Sequence, residues 1–213
     1  MTSRHTGRQL LLAMKQAAGA DDAGLTLPVG APVKGLLRPL GASPARLRPE
    51  DVRILTAARN RFVSSFLTEF VATEERTTRW LVEHVGLSDA KILFMYDDVN
   101  RIPCGYMGLD FIDWESGRGE ADAIVRTGDG PKGFMTEGLR TLMRWAENGL
   151  GLRDLSVRVR SDNDALRFYE RAGFRQFRAM PLVRHEDAQG TRWIEEPNGD
   201  PRGISLIYLR WEG

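Results

Sequence analysis

The stretch that most constrains the fold runs from Glu120 to Phe174. It begins with a short apolar run, Ala121 to Val125, which is typical of a strand, and continues into a turn that holds three glycines. A long helix is predicted next, because apolar residues recur at helical spacing: Met135, Leu139, Leu142, Met143 and Ala146. A second strand-like pattern and a second helical pattern follow. The stretch therefore predicts a βαβα unit with parallel strands, since a helical crossover joins them.

The three glycines of the turn are Gly128, Gly130 and Gly133. The first backbone N–H groups of a helix have no partner within the helix, and they lie at the positive end of its dipole. Such a turn suits a phosphate or a pyrophosphate, and Lys132 adds a positive charge. The alternative is a turn without a ligand, because short glycine patterns are often only turns.

Two motifs carry a family resemblance. The run from Gly130 to Leu139, GPKGFMTEGL, resembles the acyl-CoA pyrophosphate loop of the GNAT superfamily of N-acetyltransferases, in the RGxGYATEAL style of its ribosomal-protein and amino-sugar branches. The run from Asp162 to Phe174, DNDALRFYERAGF, is similar to the family's NxxAxxxYxxxGF motif. The loop departs from the pattern at Gly130, where the family has Arg, and at Pro131, where it has its first Gly. The resemblance extends from about Gly35 to the C-terminus.

The resemblance implies an α/β fold with a mixed, mostly antiparallel sheet of about six to seven strands, a parallel pair that splays apart, and about four helices. Strand-like runs are Gly35–Leu40, Lys91–Tyr96, Cys104–Phe111, Gly119–Val125, Leu155–Val159, Phe174–Val183 and Ile204–Trp211. Besides the two helices of the central stretch, helical patterns follow Pro49, run from Glu74 to Val85, and include a possible short helix from Arg8 to Ala18.

The family's loop binds acetyl-CoA, so the resemblance implies acetyl-CoA as co-substrate and no metal. The candidate donors to its pyrophosphate are the amides of Gly133, Phe134, Met135 and Thr136, assisted by Lys132. The resemblance also implies that a strand edge pairs with the cofactor's amides as a further strand would, the edge residues being Ile124, Val125 and Arg126. An N–H group at this edge can hold the oxyanion that develops at the thioester carbonyl.

Asn163 and Phe168 are further cofactor-binding candidates, in the second motif. Asn163 lies one residue closer to Ala165 than the family's asparagine does, and Asp162 occupies the expected position. Either polar side chain can contact the pantetheine arm or cap the helix, and capping is the more common role.

Tyr169 matches the tyrosine of the family motif, and the resemblance implies that its hydroxyl donates a proton to the departing thiolate. A core aromatic is the alternative. Glu120 and Asp122 lie two residues apart on a strand, hence on one face, and either is a candidate general base. A solvated pair of acids is the alternative for them. His84 and His185 have suitable pKa values as bases but no positional support.

In this family the first two helices wall the acceptor pocket. The resemblance therefore directs attention to Asn60, Phe66, Phe70 and Trp80 as possible substrate contacts. Burial of these rings in the core is the alternative, because large apolar side chains are usually buried.

Composition narrows the class of protein. The 213 residues include 30 basic and 29 acidic side chains, so the near-neutral charge gives no indication of a nucleic-acid or anionic-membrane partner. The single Cys104 excludes an internal disulfide framework or a multi-cysteine metal site, and a cytoplasmic location is expected. No apolar run approaches the ~20 residues of a membrane span.

The chain is expected to divide into an N-terminal arm, residues 1–33, and a single acyltransferase domain, residues 34–213. Composition predicts that the arm is loosely attached or packed against a partner. A homodimer is a separate expectation. A cover over the active-site cleft of its own or a neighbouring subunit is the alternative.

The resulting expectation is an acetyl-CoA-dependent N-acetyltransferase that acts on a primary amine by direct transfer in a ternary complex. The near-neutral charge argues against strongly anionic or polycationic acceptors, which favours a small molecule such as an amino sugar or an amino-acid-like metabolite. The alternatives are a protein N-terminal acetyltransferase of the ribosomal-protein type and a non-catalytic acyl-CoA-binding regulatory module.

Overall fold

The computed structural model describes residues 4–18, 25–128, 130, 132–188 and 190–213. Within them the α-helices are α1 (Arg4–Ala17), α2 (Pro49–Arg61), α3 (Glu74–Trp80), α4 (Phe134–Asn148) and α5 (Ala165–Ala172). The strands are β1 (Leu27–Val29), β2 (Gly35–Pro39), β3 (Thr68–Glu69), β4 (Ile92–Asp98), β5 (Pro103–Asp113), β6 (Arg118–Arg126), β7 (Asp154–Arg160), β8 (Phe174–Asp187), β9 (Gly190–Glu195) and β10 (Ser205–Trp211). A 3₁₀ turn follows α2 at Val63–Ser65, and a π-helical turn continues α3 at Leu81–Gly86.

In the described residues the strands form one ten-stranded sheet in the order β1-β2-β4-β5-β6-β7-β10-β8-β9-β3. Strands β6 and β7 are parallel because α4 crosses over between them, which confirms the predicted parallel pair. The predicted number of about six to seven strands is wrong. The strands β1 and β3 have three and two residues, too few for an alternating pattern, and no residue of β9 is buried.

The parallel pair separates halfway along its length. Its register runs from Arg118 opposite Asp154 to Ala121 opposite Val157 and ends there. Beyond this point β6 continues to Arg126 and remains paired with β5 on its other side. The last residues of β6 therefore present an unpaired edge towards β7.

Helices cover the two faces of the sheet unequally. Helices α1, α4 and α5 share one hydrophobic core, and the predicted inner positions of α4 (Leu139, Leu142, Met143 and Ala146) are fully buried in it. On the other face, α2 and the π-helical turn build a smaller core. Among the described residues this second core includes none from β7, β8 or β10, so the α2 layer stops at β6. None of the described helices is both long and apolar enough to cross a membrane.

The N-terminal helix is more firmly attached than composition predicts. Leu11 and Met14 are buried in the core, and Lys15 donates from Nζ to the carbonyl oxygens of Val85 at 2.5 Å and Lys91 at 3.2 Å. The prediction of a loose arm thus differs from the described part of residues 1–33, because one face of α1 is apolar at helical spacing. Residues 19–24 of the predicted loop lie outside the described residues, and a domain boundary at residue 33 stays a prediction.

A buried ion cluster ties α2 to the sheet. The Arg38 guanidinium on β2 donates to both carboxylate oxygens of Asp51 at 3.0 Å and to Asp97 Oδ2 at 2.8 Å. The side chains of Asp51 and Asp97 are each 3% exposed. Burial raises the pKa of Asp97, and Arg38 opposes that rise. Arg38 therefore compensates two carboxylates that water does not reach.

Replacing Arg38 with Met is expected to lower the free energy of unfolding by about 3–5 kcal/mol, because two buried carboxylates lose their counter-ion. Urea denaturation followed by circular dichroism measures the change. The matched control is Arg53→Met on α2, which removes an exposed pair with Glu50 and is expected to cost less than about 1 kcal/mol. Equal losses in the two variants would contradict the role given to Arg38.

Candidate active site

A cavity of about 840 Å³ opens where β6 and β7 separate. A second cavity, of about 280 Å³, lies against the start of α4. Ile124 and Arg126 line both cavities, so the two meet at the end of β6. We call them the transfer cavity and the loop cavity.

A bulge in β6 marks the place where the strands separate. The register with β5 shifts so that two residues, Ala123 and Ile124, stand opposite one, and Ala123 has a positive φ of 51°. On the partner strand, a Cβ at Gly105 would come within 2.7 Å of the Val125 carbonyl oxygen, so the close approach requires glycine. The predicted cofactor edge, Ile124 to Arg126, is therefore both bulged and unpaired with β7.

The loop cavity is built around the N-terminus of α4. Gly133 precedes the helix with φ +83°, and no described side chain caps the helix. No described atom outside its chain neighbours lies within 4 Å of where a Cβ of Gly133 would stand. The Arg126 side chain donates to the carbonyl oxygens of Gly128 at 2.9 Å and Gly130 at 3.1 Å, and so holds the loop against β6. The N–H groups of the first turn of α4 are thus free to bind an anion.

The other residues of the predicted loop have distinct environments. Met135 and Thr136 line the loop cavity. Phe134 also lines it, but its ring is buried and stacks on Tyr96 with centroids 3.7 Å apart, so its side chain belongs to the core. Lys132 is exposed and is not among the residues that line the cavity, and Pro131 lies outside the described residues.

The second motif places its residues at the same mouth. Phe168 lines the loop cavity, while Asn163 and Tyr169 line the transfer cavity. Asn163 Oδ1 accepts a hydrogen bond of 2.9 Å from the amide of Ala165, the first residue of α5, whose N-cap residue is Asp164. Asp162 is bound instead to the Arg160 guanidinium through two hydrogen bonds of 2.6 and 2.9 Å. The amide nitrogen of Asn163 donates to the Ser65 carbonyl oxygen, 3.3 Å away, and a contact of Asn163 with the pantetheine arm stays a prediction.

Tyr169, Glu120 and Asp122 all line the transfer cavity. Burial raises the pKa of Tyr169 above its ordinary value, and the charges of Asp122 and Glu120 raise it further. Burial also raises the pKa of Glu120, against the opposing effect of Arg158, whose Nε lies 2.7 Å from Glu120 Oε1. At neutral pH the phenol is therefore protonated.

Asp122 belongs to a second group of charges. Its Oδ2 lies 3.1 Å from Lys91 Nζ, which also contacts Asp110 at 2.5 Å. Burial opposes the charge on Lys91, but the two carboxylates outweigh it and raise the pKa of the ammonium. Lys91 also lies 5.1 Å from the centre of the Trp80 ring. The two carboxylates that β6 contributes to the transfer cavity are thus each paired with a cation: Glu120 with Arg158 and Asp122 with Lys91.

The histidines and the predicted acceptor residues separate into two groups. His84, Phe66, Phe70 and Trp80 line the transfer cavity. Asn60 and His185 do not. Asn60 instead exchanges two hydrogen bonds with the backbone of Ala72, at 2.8 and 3.0 Å, and closes the loop that carries the aromatic wall.

Sequence reasoning missed several cavity residues: Arg59, Arg76, Lys91, Tyr106 and Arg158. Arg158 alternates with the apolar residues of β7. This alternation could have indicated that its side chain lies on the face of the sheet that points away from α4. No local pattern marks Arg59 or Arg76, since their surroundings depend on how the loop between α2 and α3 folds. Within the described residues, no group of three or more His, Cys, Asp and Glu side chains could hold a metal ion.

Comparisons with known proteins indicate the same family as the two sequence motifs. Residues 45–175, more than half of the chain, match a family model described as an acetyltransferase (GNAT) domain. No curated protein matches the sequence.

Solved structures show a similar fold. A probable GNAT-family acetyltransferase from Chromobacterium violaceum ATCC 12472 is 15% identical with a TM-score of 0.64, over 87% of this chain and 85% of that one. A GNAT-family acetyltransferase from Bacillus anthracis is 14% identical with a TM-score of 0.63, over 87% and 97%. A mutant spermidine N-acetyltransferase from Vibrio cholerae is 18% identical with a TM-score of 0.57, over 78% and 91%. At these identities the likeness supports the fold and not the substrate.

Gly133→Ala is expected to lower the free energy of unfolding by about 1–2 kcal/mol, because a Cβ strains a positive φ even where space is free. Gly133→Asn is expected to cost less, since asparagine tolerates this conformation better than alanine does. Urea denaturation compares the two variants with the parent protein. A more stable alanine variant would show that the loop does not hold this backbone conformation in solution.

Proposed function

The chain belongs to the GNAT family of acetyltransferases, and from this premise we propose that it transfers an acetyl group from acetyl-CoA to the primary amine of a small molecule. The observation that carries the proposal is the transfer cavity, which Glu120, Asp122 and Tyr169 share at the end of the separated strands. Transfer is direct, within a ternary complex. Burial raises the pKa of the Cys104 thiol, so this cysteine is unsuited to act as a nucleophile.

The residues around the loop cavity fit acetyl-CoA. The free space at Gly133 and the uncapped N–H groups of α4 suit a pyrophosphate. The unpaired edge of β6 offers backbone groups to the amides of a pantetheine arm, as a neighbouring strand would. When bound, acetyl-CoA supplies an activated thioester, and the protein supplies its position.

The roles of the side chains follow from their environments. We assign Glu120 as the general base, because a carboxylate with a raised pKa accepts the amine proton better at neutral pH, directly or through a water molecule. Tyr169 is the proton donor to the leaving sulfur as the new C–N bond forms and the C–S bond breaks. An N–H group at the β6 edge stabilises the developing oxyanion.

The acceptor side of the cavity suits a small molecule. Aromatic rings of Phe66, Phe70 and Trp80 line a space of about 840 Å³ that the acceptor shares with the reacting end of the cofactor. The spermidine N-acetyltransferase among the similar structures acts on a small amine, as its name states, and the acceptor proposed here is likewise a small amine. The cytoplasmic location and the homodimer stay predictions.

Free-thiol release from acetyl-CoA tests the proposal across a panel of amines, amino sugars and peptides. We expect turnover with at least one small amine, and expect Tyr169→Phe to lower kcat by about 100-fold or more, within the usual range for general acid catalysis. Calorimetry is expected to give the same acetyl-CoA affinity for both proteins, because the hydroxyl acts on the leaving group.

Tight acetyl-CoA binding without thiol release for any amine would instead indicate a non-catalytic binding module. Turnover confined to peptides would indicate an N-terminal acetyltransferase. A Tyr169→Phe variant with parental kcat would remove the proton-donor assignment but leave the transferase proposal in place.

The pH dependence of kcat/KM tests Glu120. A base must be deprotonated, so activity is expected to fall as pH drops through the raised pKa of Glu120. Arg158 lowers that pKa, so Arg158→Gln is expected to move the acid limb to higher pH with the same amine. Glu120→Gln is expected to remove this limb, and Asp122→Asn to retain it. Loss of the limb in Asp122→Asn alone would transfer the role of base to Asp122.

A further inference from the structure

Two arginines at the acceptor end of the transfer cavity have no acidic partner. Arg59 lies on α2 and Arg76 on α3, and both line the cavity beside Phe66 and Phe70. In the part of the chain that the structure describes, no carboxylate lies within the 4 Å of an ion pair from either guanidinium.

Aromatic rings take the place of counter-ions for these two cations. The Arg59 Cζ atom lies 3.8 Å from the centre of the Phe66 ring and 4.6 Å from that of Phe70. The Arg76 Cζ atom lies 3.6 Å from the centre of the same Phe70 ring. Stacking uses the face of a guanidinium and leaves the donors in its plane available. Arg59 directs one nitrogen to Thr68, whose Oγ1 is 2.8 Å away.

Three other cations of the cavity have acidic partners. Lys91 has Asp110 and Asp122, Arg158 has Glu120, and Arg160 has Asp162 and Glu69. Arg59 and Arg76 therefore differ from these three cations, since no carboxylate of the described residues forms an ion pair with either of them.

Burial disfavours the positive charge of Arg59. It lowers the pKa of Arg59 to about 10; Tyr106 and Asp122 raise the pKa, and the like charge of Arg76 lowers it. Arg59 is half-buried and Arg76 is exposed, and a negative group beside them would offset the repulsion between the two guanidiniums. Planar donors of this kind bind carboxylates and phosphates through paired hydrogen bonds.

We propose that the acceptor is an amine that also carries an anionic group, a carboxylate or a phosphate, and that Arg59 and Arg76 bind this group while the amine lies beside Glu120. The inference rests on the proposed function and names its substrate class. It also separates this protein from enzymes of polyamines, because a polycation would meet two unpaired arginines. The local charge at the cavity, and not the near-neutral net charge of the whole chain, would select such an acceptor.

Matched acceptors test the substrate class by thiol release. The pairs are 4-aminobutyrate with butylamine, glucosamine 6-phosphate with glucosamine, and the common amino acids with their amides, and spermidine is added as a polycation. We expect kcat/KM to be about tenfold or more higher for the anionic member of at least one pair, as hydrogen bonds to a charged group imply. The carboxylate and phosphate pairs distinguish the two kinds of anion.

Variants connect the preference to the arginines. Arg76→Gln is expected to raise KM for the preferred anionic acceptor about tenfold, with kcat and the KM for acetyl-CoA little changed. Arg76→Lys, which retains the charge, is expected to recover part of the loss. Arg53→Gln is the matched control, because Arg53 is an exposed arginine of α2 outside the cavity. Arg76 is the better site to change, since Arg59 also holds Thr68.

The outcomes separate the two proposals. Thiol release from none of the amines would defeat the proposed function itself. Turnover that favours the neutral members or spermidine, or an unchanged KM in Arg76→Gln with the anionic acceptor, would overturn the acceptor class and leave acetyl transfer standing.

Discussion

The separation of β6 from β7 is the constraint on which the rest of the structure depends. Two parallel strands pair only as far as Ala121 and Val157, and the bulge at Ala123 turns the free end of β6 away from its neighbour. Each strand then leads into a helix, α4 or α5, so both helices begin at the same opening. The unpaired edge of β6 and the uncapped N-terminus of α4 therefore have the same origin, which is the separation of the two parallel strands.

Unequal cover of the sheet explains why this opening is polar. Because the α2 layer stops at β6, its core includes no described residue from the face of β7 that points away from α4, and the alternate residues of that face are Arg158 and Arg160. Carboxylates on β6 then remain charged in a half-buried place only with cations beside them, as the Glu120 pair with Arg158 illustrates. The polar chemistry of the cavity is thus a consequence of where the second helix layer ends.

Local pattern in the sequence predicted the parts of the fold that local pattern determines. The inner face of α4, the alternation of β7 and the parallel pair follow from periodicity and from the length of the crossover. The number of strands does not, because β1 and β3 exist only through pairing with β2 and β9. Local pattern also did not predict the burial of Leu11 in α1, for a related reason, since that burial depends on a core formed by distant residues.

Whether a cation in the cavity can remain without an acidic partner depends on whether it is a lysine or an arginine. Lys91 carries a compact charge, and its burial is compensated by two carboxylates. Arg59 and Arg76 carry delocalised charges that stack on Phe66 and Phe70, so apolar rings can shield them while their in-plane donors stay free. One cavity can therefore hold a neutralised catalytic end and an electropositive acceptor end. The proposed acceptor, with opposite charges at its two ends, would then have a single favourable orientation, with its amine towards Glu120.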